Sequence, residues 1–309
     1  MSKVALSIIA MFALTQLLGI YVGALLVENS KTVPEFGDFN VSPVSDMNSP
    51  LNAILFFAYV IGGAVFLVLV LKFYKGVLLF KGIEFMVIFT ASFIVFFVLL
   101  YHIVFSVLLY QHTALSLLYV TLASILLSLL LSAGKFIFAK LKNSAAVISS
   151  AGVGALFGFS IGFYPALLFV LLLALYDYWA VFKTGHMVKF ARELGDRKLS
   201  FSISARETEN VKEKVQVKKG VYEEREKEVE RSSMELGTGD LAIPAMLAVS
   251  IYPTGGIFSS LAIAFGSLIG LAFTLHIVSK NRVFLPAIPP ICLGGAACLL
   301  LLRLILILL

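Results

Sequence analysis

The stretch Met234-Glu235-Leu236-Gly237-Thr238-Gly239-Asp240-Leu241-Ala242-Ile243-Pro244-Ala245, MELGTGDLAIPA, sets a carboxylate several residues inside an apolar run. In a soluble protein that aspartate would be unremarked. In a bilayer an ionised carboxylate costs about 3 kcal/mol or more unless it is paired, neutral or hydrated. Whether the run that follows Asp240 crosses a membrane therefore decides how the whole chain is read.

The chain has 309 residues, 60% of them hydrophobic and 14% charged. A soluble domain carries about 25% charged residues, so this composition belongs in lipid. Apolar runs near the roughly 20 residues needed to cross a bilayer recur at about 4–27, 51–72, 84–109, 113–134, 144–162, 165–182, 236–252, 255–279 and 284–307. The expected fold is an all-α polytopic membrane protein of about nine transmembrane helices. The first run reads as a retained helix, being too long for a removable signal and lacking a cleavage site. Cys292 and Cys298 share the last run and read as small packing residues. Glu84 sits at a span edge, where water is within reach.

The connections carry the orientation. Lys72, Lys75 and Lys81 follow span two, Lys135, Lys140 and Lys142 follow span four, and Lys280 and Arg282 follow span eight, whereas the alternate connections are acidic or neutral. Lysine and arginine favour the cytoplasmic side, so the N-terminus is expected inside, the C-terminus outside, and the long 183–235 segment in the cytoplasm. The net charge of +6 thus reflects topology, and no nucleic acid is implied. The chain divides into 1–182, spans one to six; 183–235, a mixed-charge and partly disordered loop; and 236–309, spans seven to nine. Gly154–Gly158–Gly162 and Gly266–Gly270 repeat every four residues, a spacing that lets membrane helices approach closely.

Only two of the five aspartates lie within spans, Asp177 and Asp240, one on each side of the 183–235 loop. Asp177 precedes Lys183 by six residues and Asp240 follows Glu235 by five. At a helical rise of about 1.5 Å per residue, both sit roughly 8–9 Å inside the cytoplasmic boundary. Spans six and seven run in opposite directions, so equal depth lets the two side chains face each other. Two carboxyls brought together cannot both ionise easily and tend to share a proton. Such a pair supplies one base to activate water and one acid to protonate a carbonyl or a leaving amine. The plainer reading is that each aspartate caps a helix, Asp240 using the dipole at the start of its span.

Three short motifs add to this. Tyr176–Asp177 in span six, Gly237–Thr238–Gly239–Asp240 in span seven and Pro286–Ala287–Ile288–Pro289 at the head of span nine resemble the YD, GxGD and PAL motifs of the presenilin and signal-peptide-peptidase family, in that order on nine helices. The resemblance covers nearly the full chain and departs at Ile288, where the family has leucine. It implies an intramembrane aspartyl protease in which Asp177 and Asp240 are catalytic and Tyr176, Gly237 and Gly239 support them. Pro286, Ala287 and Ile288 would then shape the site wall and help admit substrate. Pro286 and Pro289 cannot continue a regular helix, so irregular backbone is expected there, beside a wet cavity. A cytoplasmic six–seven loop matches the presenilin orientation and its single-span substrates.

Leu199, Phe201 and Ile203 alternate at period two and read as a short strand. Such a strand, with residues just before Gly237, would satisfy the backbone of an unwound transmembrane substrate. The expected partners are thus transmembrane-helix substrates and the bilayer. A homo-oligomer stays open, and no obligate subunit is evident. No cofactor or metal is expected, since His102, His112, His186 and His276 are scattered. The rival readings are a signal-peptide-peptidase type of opposite orientation, a proton-coupled transporter and a prepilin-type peptidase.

Overall fold

The computed structural model describes residues 3–73, 76, 78–108, 112–180, 202–218, 221–281 and 286–308. Nine α-helices run through the described residues: α1 Lys3–Asn29, α2 Pro50–Phe73, α3 Leu78–Tyr101, α4 Ala114–Ile137, α5 Leu141–Ser160, α6 Phe163–Trp179, α7 Thr238–Ser250, α8 Tyr252–Asn281 and α9 Ile288–Leu308. Seven are long and apolar enough to cross a membrane; α6 and α7 are apolar but shorter. A π-helical segment, His102–Val107, prolongs α3. Gly256 interrupts α8 with φ 66° and ψ −173°, a conformation that a side chain would oppose.

The chain is not wholly helical. Ser202–Lys218 (β1) and Val221–Gly237 (β2) form an antiparallel hairpin in the segment read as a partly disordered loop. Its register sets Lys212 opposite Glu226, Glu213 opposite Arg225 and Lys214 opposite Glu224. Read in series, the same residues look like a solvated charge run, and the pairing appears only in the register.

α7 is the hub. Every residue from Leu241 to Ile251 except Ile243 is buried, which suits a short helix that is apolar all round. Its neighbours approach through glycine. A Cβ at Gly158 on α5 would lie 2.5 Å from the Met246 carbonyl oxygen, and one at Gly23 on α1 would lie 2.4 Å from a Val249 methyl. Gly154 and Gly158 are thus packing residues of one α5 face. Gly162, which the spacing groups with them, lies beyond the end of α5 as the N-cap of α6 and packs against Met47 and Asn48 instead. On the other flank Gly266 and Gly270 of α8 meet the backbone of α9.

Glu84 does not reach water. It is 2% exposed and forms an ion pair with Lys135 of α4. Removing one partner of a buried pair costs about 3–5 kcal/mol, because the other charge stays behind in an apolar setting. Glu84→Ala is therefore expected to lower the thermal midpoint markedly, and the double variant Glu84→Ala/Lys135→Met to recover most of the loss. Thermal unfolding in detergent checks both.

Candidate active site

Asp177 lies in the last turn of α6 and Asp240 in the first turn of α7. Each is nearer a helix end than the expected spans imply, because α6 ends at Trp179 and α7 begins only at Thr238. Gly237 keeps an extended backbone (φ −64°, ψ 147°) and is the N-cap of α7, which carries no side-chain cap. The Gly237 N–H donates to the Asp240 carboxylate, half of a capping box. The capping role is thus real, and it coexists with a second feature: the Asp177 and Asp240 carboxylates lie close enough to interact electrostatically. A Cβ at Gly237 would stand 3.3 Å from Asp240 Oδ2, so glycine keeps the carboxylate uncrowded. Gly239 faces open space instead and lines the adjoining cavity.

The head of α9 closes the other side. Pro286 is buried and Ala287 forms a bend, giving two irregular residues before the helix begins at Ile288. The Ile288 N–H donates to the Asp177 carboxylate. Pro289 sits in the first turn of α9 and does not break it, since a missing N–H is tolerated there. Cys292, one turn further on, is buried and near enough to both carboxylates to feel their charge. The sequence offered no sign of that proximity.

A cavity of about 1060 Å³ opens beside the pair, lined by α2, α5, α6, α7 and Ile288. Its wall includes Tyr176, Asp177, Trp179, Gly239 and Ile243, facing Tyr59 and Val60 of α2. Apart from Asp177 and two tyrosines the lining is apolar, a surface suited to a hydrophobic helix. Tyr176 packs edge-on against Phe57, with ring centroids 6.4 Å apart.

Leu199 and Phe201 lie outside the described residues. Ile203 is in β1 opposite Leu236, fully buried among Val4, Ile8, Leu241 and Leu275. It anchors the hairpin to the bundle. Asn143 of α5 clamps the outer side of β1, its Nδ2 donating to the Ser204 carbonyl (2.8 Å) and its Oδ1 accepting from the Ser204 N–H (3.0 Å).

A sequence profile described as signal-peptide peptidase, presenilin aspartyl protease matches residues 9–306. The chain belongs to this family. Its fold is that of the presenilin-family proteases. Two crystal structures of a presenilin family intramembrane aspartate protease, in C222 and P2 space groups, superpose with TM-scores of 0.64 and 0.61 at 21% identity. The match covers 96% of this chain in both, and 97% and 96% of the other. No curated protein sequence matches. In this member of the family, sequence reasoning missed two polar contacts to α7. Gln16 Nε2 donates to the Leu241 carbonyl (2.9 Å) and Ser150 Oγ to the Thr238 carbonyl (3.2 Å).

Proposed function

We propose that this protease hydrolyses peptide bonds inside the transmembrane segments of single-span membrane proteins, with Asp177 and Asp240 as its catalytic pair. The observation that carries the reading is the juxtaposition of two carboxylates, from the facing ends of α6 and α7, beside an apolar cavity. One carboxylate takes a proton from water as the oxygen attacks the scissile carbonyl; the other, protonated, gives its proton to the carbonyl oxygen. As the C–N bond breaks, the carboxyl that took the proton from water gives it to the departing nitrogen, and one hydroxyl of the collapsing diol returns a proton to the carboxylate that donated one. The dyad ends in the protonation state in which it began. Tyr176, Gly237 and Gly239 support the pair, and Pro286, Ala287 and Ile288 form the wall against which a substrate rests. The test is cleavage of a single-span reporter in lipid by the purified protein and its loss on replacing either aspartate.

In this reading α6 and α7 complete nine membrane crossings, with the N-terminus and the hairpin in the cytoplasm and the C-terminus outside. The lysine-bearing connections support that sidedness. A signal-peptide-peptidase type would place residues 202–237 on the opposite face, and labelling a single cysteine introduced at Gln216 from each side of sealed vesicles separates the two.

A helical substrate must expose its backbone before it can be cut, and exposed backbone needs partners in a bilayer. β2 runs directly into Gly237, three residues before Asp240, and is the strand to which an extended substrate segment adds. Asn143 already engages the far side of β1, which favours β2. Ile203→Pro removes a ladder donor and an anchor of the hairpin, so cleavage is expected to fall at least tenfold with expression unchanged. Unaltered cleavage of the reporter would sink the strand role.

A further inference from the structure

Asp240 stands on a helix turn that is poorly held by its own backbone. The N-cap residue of α7, Gly237, has no side chain to cap it, and only the Asp240 carboxylate itself takes the Gly237 N–H. Pro244 has no N–H, so the Asp240 carbonyl lacks the donor that a regular helix supplies four residues on, and the proline ring crowds that carbonyl. One carbonyl on each side of this weak point, two residues before it and one after, is contacted from outside. Ser150 of α5 donates to Thr238, and Gln16 of α1 donates to Leu241.

The two contacts are built alike. On α1, Gln16, Gly19 and Gly23 share a face, and Cβ atoms at the glycines would meet Ala245 and Val249. On α5, Ser150, Gly154 and Gly158 share a face, and the glycines would meet Ala242, Ala245, Met246 and Val249. Each neighbour thus uses glycine to come close to α7, then presents one polar side chain a turn nearer the Asp240 end. Both are buried, Gln16 at 1% and Ser150 at 2% exposure. Gln16 Oε1 is buried too, with no hydrogen-bond partner among the described residues. An amide left half satisfied carries a desolvation penalty that an apolar residue of the same size avoids. Simple helix packing gives no reason to keep it.

We infer that Gln16 and Ser150 are positioning residues that fix the first turn of α7, and with it the Asp240 carboxylate, in the geometry needed for hydrolysis. The inference rests on the catalytic reading of Asp240. Neither side chain acts on the substrate; both act through the α7 backbone.

The experiment compares wild type, Gln16→Met, Ser150→Ala and Asp240→Asn in lipid, measuring kcat and KM on a single-span reporter and the thermal midpoint of each protein. Gln16→Met keeps length and volume and removes the donor. A misplaced catalytic group costs up to about 100-fold in rate, so kcat for Gln16→Met is expected to fall about 10- to 100-fold, with KM within about threefold of wild type. Its thermal midpoint is expected to stay level or rise. Ser150→Ala is expected to give a smaller fall of the same kind, and it decides alone if Gln16→Met does not fold. Wild-type kcat in the folded variants overturns the inference, as does a fall in kcat that tracks loss of stability. If Asp240→Asn is inactive while Gln16→Met is fully active, the positioning role alone fails. If Asp240→Asn cleaves as well as wild type, the catalytic reading fails and takes this inference with it.

Discussion

Gly270→Ala is expected to lower the thermal midpoint sharply and to reduce cleavage at least 100-fold, although it adds a single methyl group. A Cβ at Gly270 would stand 2.1 Å from the Pro290 carbonyl oxygen and 2.9 Å from the Ile291 Cα. One turn away, a Cβ at Gly266 would lie 2.2 Å from the Gly294 carbonyl oxygen. These are backbone atoms of α9, which cannot rotate aside as a side chain can, so α9 itself must move. Overpacking of this kind costs about 1–3 kcal/mol and sometimes more. The effect on activity is larger than that figure implies, because Pro290 is two residues from Ile288. The Ile288 N–H holds Asp177, and displacing α9 by an ångström pulls that donor away. Gly62→Ala on α2, where an added Cβ meets nothing within 4 Å, is the control; it should leave both stability and cleavage near wild type.

Asp177→Asn and Asp240→Asn are each expected to reduce cleavage at least 1000-fold, with little change in fold. The mechanism proposed for the pair needs a base and an acid at once, and an amide is neither. Groups that act as a unit lose activity together, so the double variant should be scarcely worse than either single one. Additive losses would mean that the two carboxylates serve separate steps. The replacements differ in one structural respect. Asp240 also caps α7 through the Gly237 N–H, a role that an asparagine oxygen can retain. Asp240→Ala should therefore lose about 1 kcal/mol of stability that Asp240→Asn keeps. Comparing the two separates the capping function from the chemical one.

The membrane part of the fold was legible because lipid imposes a simple rule. Each apolar run from α1 to α9 had to be a helix, and the expected limits fall within a few residues of the observed ones, except at α3, which starts six residues earlier. The two aspartates stood out because their charge is expensive in such runs. Glycine stripes on α5 and α8 announced close helix contacts, and the structure supplies the partners, α7 and α9. The remaining features depend on pairing across long stretches of chain. Lys135 comes 51 residues after Glu84, and nothing local in either sequence shows that they meet. The hairpin was half visible, since alternation up to Ile203 suggested a strand, but its partner Val221–Gly237 reads in series as a mixed-charge run and becomes a strand only in register with β1. Gln16 looked like one polar residue in an apolar helix. Its meaning depends on Pro244, which is 228 residues away in the chain and one helix away in space.

The most direct test of the central claim is to mass the products. Purified protein and a single-span reporter are reconstituted in lipid vesicles, and the fragments are compared for wild type and Asp240→Asn. The account predicts wild-type fragments that end within the apolar span of the reporter, and none of them with Asp240→Asn. The same fragments from Asp240→Asn, or wild-type cuts confined to the reporter's water-exposed flanks, would contradict it.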